Sequence, residues 1–153
     1  MILMLDFDGV LHPDITRNEP LFCRLPILDA WLRDRPQIEV VISSSWRKVY
    51  PMDVIISFFN SDLQPRVIGA TPVWGEERPW WQGLPHERLR MYPREAEVRQ
   101  WMLDSPEPWR PWVALDDRTD LFSPHCPRLV VCERTLGLTP VQLSQVDELF
   151  SMR

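Results

Sequence analysis

Two acidic pairs each follow a short apolar run: Asp6-Phe7-Asp8-Gly9 comes after Ile2 to Leu5, and Asp116-Asp117 comes after Trp112 to Leu115. Side chains alternate along extended backbone, so Asp6 and Asp8 share a direction, and Gly9 permits a sharp exit. Like charges this close are costly without a cation or a shared proton. If the two strand ends are neighbours, Asp6, Asp8, Asp116 and Asp117 meet in one crevice. An all-oxygen donor set of that kind suits a hard divalent cation, Mg2+. The alternative for Asp117 and Asp120 is a helix N-terminal cap with surface acids.

Ser43-Ser44-Ser45-Trp46-Arg47 follows a third apolar run, Val40 to Ile42. Hydroxyls and unpaired backbone N–H groups at a strand end can hold phosphoryl oxygens, and Ser43 and Ser44 lie nearest the strand; a solvated serine turn is the alternative. Arg47 either contacts phosphate or forms a surface ion pair. Phosphoryl transfer also needs a cation to spread the charge of its transition state. Lys48, the only lysine, lies beyond the serine turn, whereas Arg94 follows Pro93 at the start of a helical segment. Its alternative is pairing with Glu95 or Glu97.

These groups need a scaffold that brings strand ends together. Short runs rich in branched aliphatic residues recur at Ile2–Leu5, Val40–Ile42, Arg66–Ala70, Trp112–Leu115 and Leu129–Val131, too short for helices, and read as five strands buried on both faces. Helical patterns lie between them, with Pro26, Pro51 and Pro93 as first helical residues and Thr139-Pro140 opening a fourth. Alternation of this kind predicts an α/β doubly wound fold with a parallel sheet and helices on both faces. Ligands then bind beyond the carboxyl ends of the strands, where strand order reverses.

At 153 residues with 44% hydrophobic and 25% charged composition, the chain fits one domain with a real core. A net charge of −5 argues against nucleic-acid binding through overall charge. No apolar run approaches the roughly 20 residues that span a bilayer, and no signal peptide is evident, so no membrane anchor is expected. Three cysteines without C-x-x-C spacing read as reduced thiols, and the expected location is cytoplasmic. His12, His86 and His125 lack ligand spacing, which disfavours zinc; His12 reads as loop structure rather than a substrate contact. Sixteen prolines against five glycines imply stiffened loops rather than a flexible linker.

In chain order these motifs resemble the haloacid dehalogenase-like (HAD-like) superfamily of Mg2+-dependent phosphotransferases. Asp6-Phe7-Asp8-Gly9-Val10 is similar to its first motif, Val41-Ile42-Ser43 to the second, Arg94 to the basic third, and Leu115-Asp116-Asp117 to the fourth. Ser43 to Arg47, Arg94-Glu95-Ala96-Glu97 with Trp101, and Gly137-Leu138-Thr139 most resemble the small HAD domains of Swiss Army Knife RNA repair proteins. The chain departs from the usual pattern in having arginine, not lysine, as the third motif. The resemblance implies the strand order 5-4-1-2-3 in a three-layer Rossmannoid domain spanning 1–153 with a minimal cap or none. It further implies a phosphomonoesterase: Asp6 as nucleophile, Asp8 as acid and base, Mg2+ held by Asp6, the Asp8 carbonyl, Asp116 and Asp117, and Ser43 and Arg94 on the phosphoryl group.

Residues 71–92 are short for a domain and long for a connection, which makes them a candidate lid or substrate wall. Their Trp74, Trp80, Trp81 and Tyr92 either stack a nucleobase or pack onto the body. The expected partner is a phosphorylated small molecule or a nucleic-acid end. A receiver-like signalling module also combines acids, a hydroxyl and a base around Mg2+, but its paired acids follow the first strand and its phosphorylated Asp the third. A non-catalytic scaffold of the same fold is the remaining alternative.

Overall fold

The computed structural model describes residues 1–14, 18–74 and 91–152. Of the candidate lid, only 71–74 and 91–92 fall among these, so that expectation, with Trp80 and Trp81, lies outside the described residues.

Five strands, β1 (Ile2–Leu5), β2 (Glu39–Ile42), β3 (Val67–Ala70), β4 (Trp112–Asp116) and β5 (Leu129–Val131), form one parallel sheet. Its order is β3-β2-β1-β4-β5, which is 5-4-1-2-3 read from the other edge, as the resemblance implies. Four helices of the described residues, α1 (Leu25–Arg33), α2 (Met52–Ser57), α3 (Pro93–Asp104) and α4 (Pro140–Ser151), cover both faces.

Alternation along β1 explains the two layers. Leu3 and Leu5 pack with Leu28, Ile55, Val146 and Phe150 of α1, α2 and α4, while Ile2 and Met4 face Val98 and Met102 of α3. A strand with helices on both sides has no polar face, which is why β1 reads as an unbroken apolar run. Central β1 and β4 are buried throughout. The edge strands differ from the expectation of burial on both faces: Ile68 and Val131 are exposed. Each edge has a neighbour on one side only, so its outer face is not fully roofed.

Local departures have physical causes. Arg66, expected in the third strand, sits in a 3-10 turn before it and donates to the carbonyls of Leu32, Arg35 and Ile38. There a cation closes the carboxyl end of α1, where carbonyls lack helical partners. Pro51 is not the first helical residue of α2; with φ −67° and ψ 158° it is the N-cap, its carbonyl accepting from Ile55 N–H at 3.1 Å. In α1, Pro26 occupies the first turn after Leu25. α3 starts at Pro93, and α4 starts at Pro140 behind a capping box in which Thr139 and Gln142 bond reciprocally.

Candidate active site

Register decides which residues meet. Leu5 lies opposite both Ile42 and Leu115, so the next residues on three adjacent strands, Asp6, Ser43 and Asp116, arrive at one level. Backbone bonds carry the sheet one step further: Asp6 N–H donates to Leu115 O at 3.1 Å and Ser43 N–H to Leu5 O at 2.9 Å. β1 lies at the reversal of strand order, between β2 and β4, and the crevice opens at its carboxyl end.

Oxygens of Asp6, Asp116 and Asp117 lie within 4.8 Å of one another. Burial pushes the Asp116 carboxyl up to about 7, and the charge of Asp6 adds to it. Asp117 is pushed up to about 6 by the same two causes. Crowded, desolvated carboxylates of this kind are what a divalent cation relieves. The three carboxylates lie close enough together for one small divalent cation to be shared among them. The all-oxygen donor set fits that ion.

Gly9 adopts φ +72°, and a Cβ there would lie 2.6 Å from the Asp117 carboxylate carbon. Gly9→Ala is therefore expected to displace that carboxylate and to cost about 1–3 kcal/mol in backbone strain alone. Urea unfolding and Mg2+ titration read the two effects separately; an alanine variant with unchanged stability and metal affinity would contradict this.

Asp8 does not join the three-carboxylate cluster, although it lines the same cavity. His12 Nε2 lies 3.0 Å from its Oδ1, and Trp46 Nε1–H donates to its Oδ2 at 3.0 Å. Phe22 N–H donates to His12 Nδ1 at 3.3 Å, so that nitrogen is unprotonated and the proton sits on Nε2, facing Asp8. Both Asp8 oxygens thus accept N–H donors. The His12 bond first, and the Trp46 bond after it, hold the Asp8 carboxyl below its ordinary value against the opposing effect of burial. His12 is 4% exposed and packs edge-on to Phe22, which also touches Trp46.

Arg94 reaches the acids from α3. Its Nη1 lies 2.8 Å from Asp116 Oδ2 and 3.4 Å from Asp6 Oδ1, while Glu97 is farther, at 3.7 Å from Nε. Burial opposes its charge, but Asp116, Asp6 and Glu97 outweigh that and hold it above its ordinary value. The alternative partner Glu95 instead accepts from Ser123 N–H and Arg99.

The two serines differ. Ser43 Oγ is buried without a hydrogen-bond partner at the level of Asp6, although Ser45, not Ser43, lines the cavity. Ser44 Oγ caps the following 3-10 turn, accepting from Trp46 N–H at 3.3 Å. Arg47 departs furthest from a phosphate contact. Its Nε donates to Thr71 O, Nη1 to Ser43 O and Ser44 O, and Nη2 to Pro72 O and Glu97 Oε2. All five N–H groups of a guanidinium are then engaged, none toward the cavity. Its ion pair is with the buried Glu97 rather than at the surface, and it ties the carbonyls after β2 and β3 to α3. Glu97, which also accepts from Trp74 N–H at 2.8 Å, is the buried counterpart that sequence reading assigned only to Arg94.

A cavity of about 150 Å³ opens above these groups, lined by Asp6, Asp8, Asp14 and Asp117 and by Arg94, Arg118 and Arg134, with Ser45 beside them. Arg118 directly follows Asp117, but adjacency along the chain does not say where its guanidinium points, and nothing in the spacing ties Arg134 to the acids. His12 carried a signal, its position four residues after Asp8 in a loop, too short to decide a role.

No described helix is long and apolar enough to cross a membrane. No curated protein and no solved structure matches the chain. Residues 2–143 match the family described as the HAD domain in Swiss Army Knife RNA repair proteins; the match covers nearly the whole chain, which belongs to that family.

Proposed function

We propose that the protein, acting as a single domain over 1–153, is a Mg2+-dependent phosphomonoester hydrolase that works through an aspartyl-phosphate on Asp6. The observation that carries this reading is the convergence of Asp6, Asp116 and Asp117 beside the Arg94 guanidinium, with the unpartnered Ser43 hydroxyl at the same sheet level. A nucleophile, a metal-ligating set, a fixed cation and a phosphate-facing hydroxyl are the parts that phosphoryl transfer requires. Asp6, Asp116 and Asp117, with the Asp8 carbonyl, would hold the Mg2+, which would supply charge to neutralise the phosphoryl oxygens.

Asp6 attacks phosphorus as the bond to the leaving oxygen breaks, and Asp8 donates a proton to that oxygen. Asp8 then takes a proton from water, whose oxygen attacks phosphorus and frees Asp6 and inorganic phosphate. Arg94 and Ser43 hold the phosphoryl oxygens throughout, and Ser44 orders the turn beside them. With both Asp8 oxygens accepting N–H donors, the resting site is arranged for the base half of this cycle. Aryl phosphates, whose leaving group needs little help from an acid, are therefore the first substrates to test.

Turnover of an aryl phosphate with Mg2+, its loss in EDTA and its return on adding Mg2+ back are the expected results. Turnover that survives EDTA would overturn the metal-dependent reading. The family's description as a domain of RNA repair proteins supports a nucleotide or nucleic-acid terminal phosphate as the physiological ester. We place the unpaired Ser43, not the fully engaged Arg47, on the phosphate.

His12 positions Asp8. His12→Gln retains an N–H donor and His12→Phe removes one of the bonds that hold Asp8 ionised, so the alkyl-to-aryl phosphate rate ratio is expected to rise severalfold in the Phe variant only. Equal ratios in the two variants would confine His12 to packing.

A further inference from the structure

We propose that Arg118 and Arg134 form a second anion subsite at the mouth of the acidic cavity, one that takes a further phosphate group of the substrate besides the one that reacts. This rests on the phosphatase reading above and specifies its substrate class.

Both arginines line the cavity that Asp6 and Asp8 line, and both stand on rigid backbone. Arg118 follows the buried Asp116, whose carboxylate accepts its N–H at 2.9 Å. Arg134 lies in a turn closed by two bonds to Glu133 O and pinned to the first loop, since its carbonyl accepts from Asp14 N–H at 2.9 Å. Gly137, at φ +74°, lets this turn approach Val10, whose carbonyl would be 2.9 Å from an added Cβ.

The guanidiniums are far less committed than their backbones. Their side chains are 45% and 47% exposed, and their partners are Asp120 for one and Asp14 and Asp117 for the other. The pairs with Asp120 and Asp14 are exposed and weak, and a phosphate accepts a guanidinium fork in the same bidentate way as a carboxylate. Asp117, 3.3 Å from Arg134 Nε, belongs to the metal-ligating set, so metal binding draws on the same carboxylate and loosens that pair. Arg47 and Arg94 cannot serve this role: one is saturated and the other faces Asp6 and Asp116.

The second phosphate is either the phosphodiester next to the terminal phosphate of an oligonucleotide or a second monoester on a small molecule. Asp6→Asn protein in Mg2+ would be titrated calorimetrically with a nucleoside 3′-monophosphate, a nucleoside 3′,5′-bisphosphate and a 3′-phosphorylated dinucleotide. A tenfold or greater tightening from the second phosphate is expected. It should shrink to less than twofold when Arg118→Gln and Arg134→Gln are added, and be intermediate for the two lysine replacements, which keep charge without the fork. Gain for the dinucleotide alone assigns a polymer end, and gain for both ligands a second phosphate of either source. No gain, or a gain that survives both glutamine substitutions, overturns the subsite. The phosphatase reading fails separately, if the wild-type chain does not hydrolyse an aryl phosphate.

Discussion

Asp6→Asn is expected to lower Mg2+-dependent hydrolysis of an aryl phosphate by at least about a thousandfold, the scale seen when a covalent nucleophile is removed. The amide keeps the size of the carboxylate and an oxygen that Arg94 can still reach, so packing at this buried position is preserved. What it loses is the charge and nucleophilicity of the attacking oxygen. Its removal also relieves Asp116 and Asp117, whose carboxyls are pushed up by burial and then by Asp6 itself. The metal-free variant should therefore melt no lower than the metal-free parent, while its stabilisation by Mg2+ shrinks. Calorimetric melting with and without Mg2+ checks the second half. Retained hydrolysis in a stable variant would move the attack to another group, and a large fall in metal-free stability would contradict the crowding of like charges.

Arg94→Ala is expected to destabilise the metal-free protein by about 3–5 kcal/mol, because it leaves buried charges uncompensated. Arg94 is 8% exposed and its guanidinium faces Asp116, Asp6 and Glu97, which have few other cations near them. Among the described residues, Arg47 is the other cation paired with these acids, through Glu97, and the half-exposed Arg134 pairs with Asp117. Saturating Mg2+ should restore part of the loss by supplying charge at the same carboxylates. Activity should not return with it, since the cation on the transferring phosphoryl group is gone. Arg94→Lys separates charge from geometry: it should regain most of the stability and a larger share of activity than Ala. Urea unfolding of both variants with and without Mg2+ measures this, and an Ala variant as stable as the parent without metal would show that Arg94 does not compensate the cluster.

Much of the frame was legible in the chain. Runs such as Ile2 to Leu5 and Trp112 to Leu115 are apolar at every position because both of their faces are roofed by helices, and that pattern separates a central parallel strand from an amphipathic one. Helix starts were marked by Pro93 and by Thr139-Pro140 because a first helical turn has no use for a proline N–H and welcomes a side-chain acceptor. The exceptions were boundaries. Pro51, expected as the first helical residue, is the cap instead, with an extended ψ of 158°.

The acids were legible because their chemistry is unfavourable without a reason: carboxylates at the ends of buried strands imply a charge that answers them. Their order along the chain, together with a basic residue opening a helix, was enough to suggest the reaction. The chain could not by itself say that Asp8 turns from its acidic neighbours toward His12 and Trp46, or that Arg47 spends every donor on carbonyls and Glu97. Hydrogen bonds are short and directional, and these join residues as far as 50 positions apart whose meeting depends on where several loops leave the sheet. The sequence by itself determined the parallel α/β frame and singled out the acids we propose react, because burial and charge are properties of local pattern. Only the tertiary structure decided which arginine binds inward, which clamps backbone and which remain at the cavity mouth, because a guanidinium takes its role from the acceptors that folding places around it.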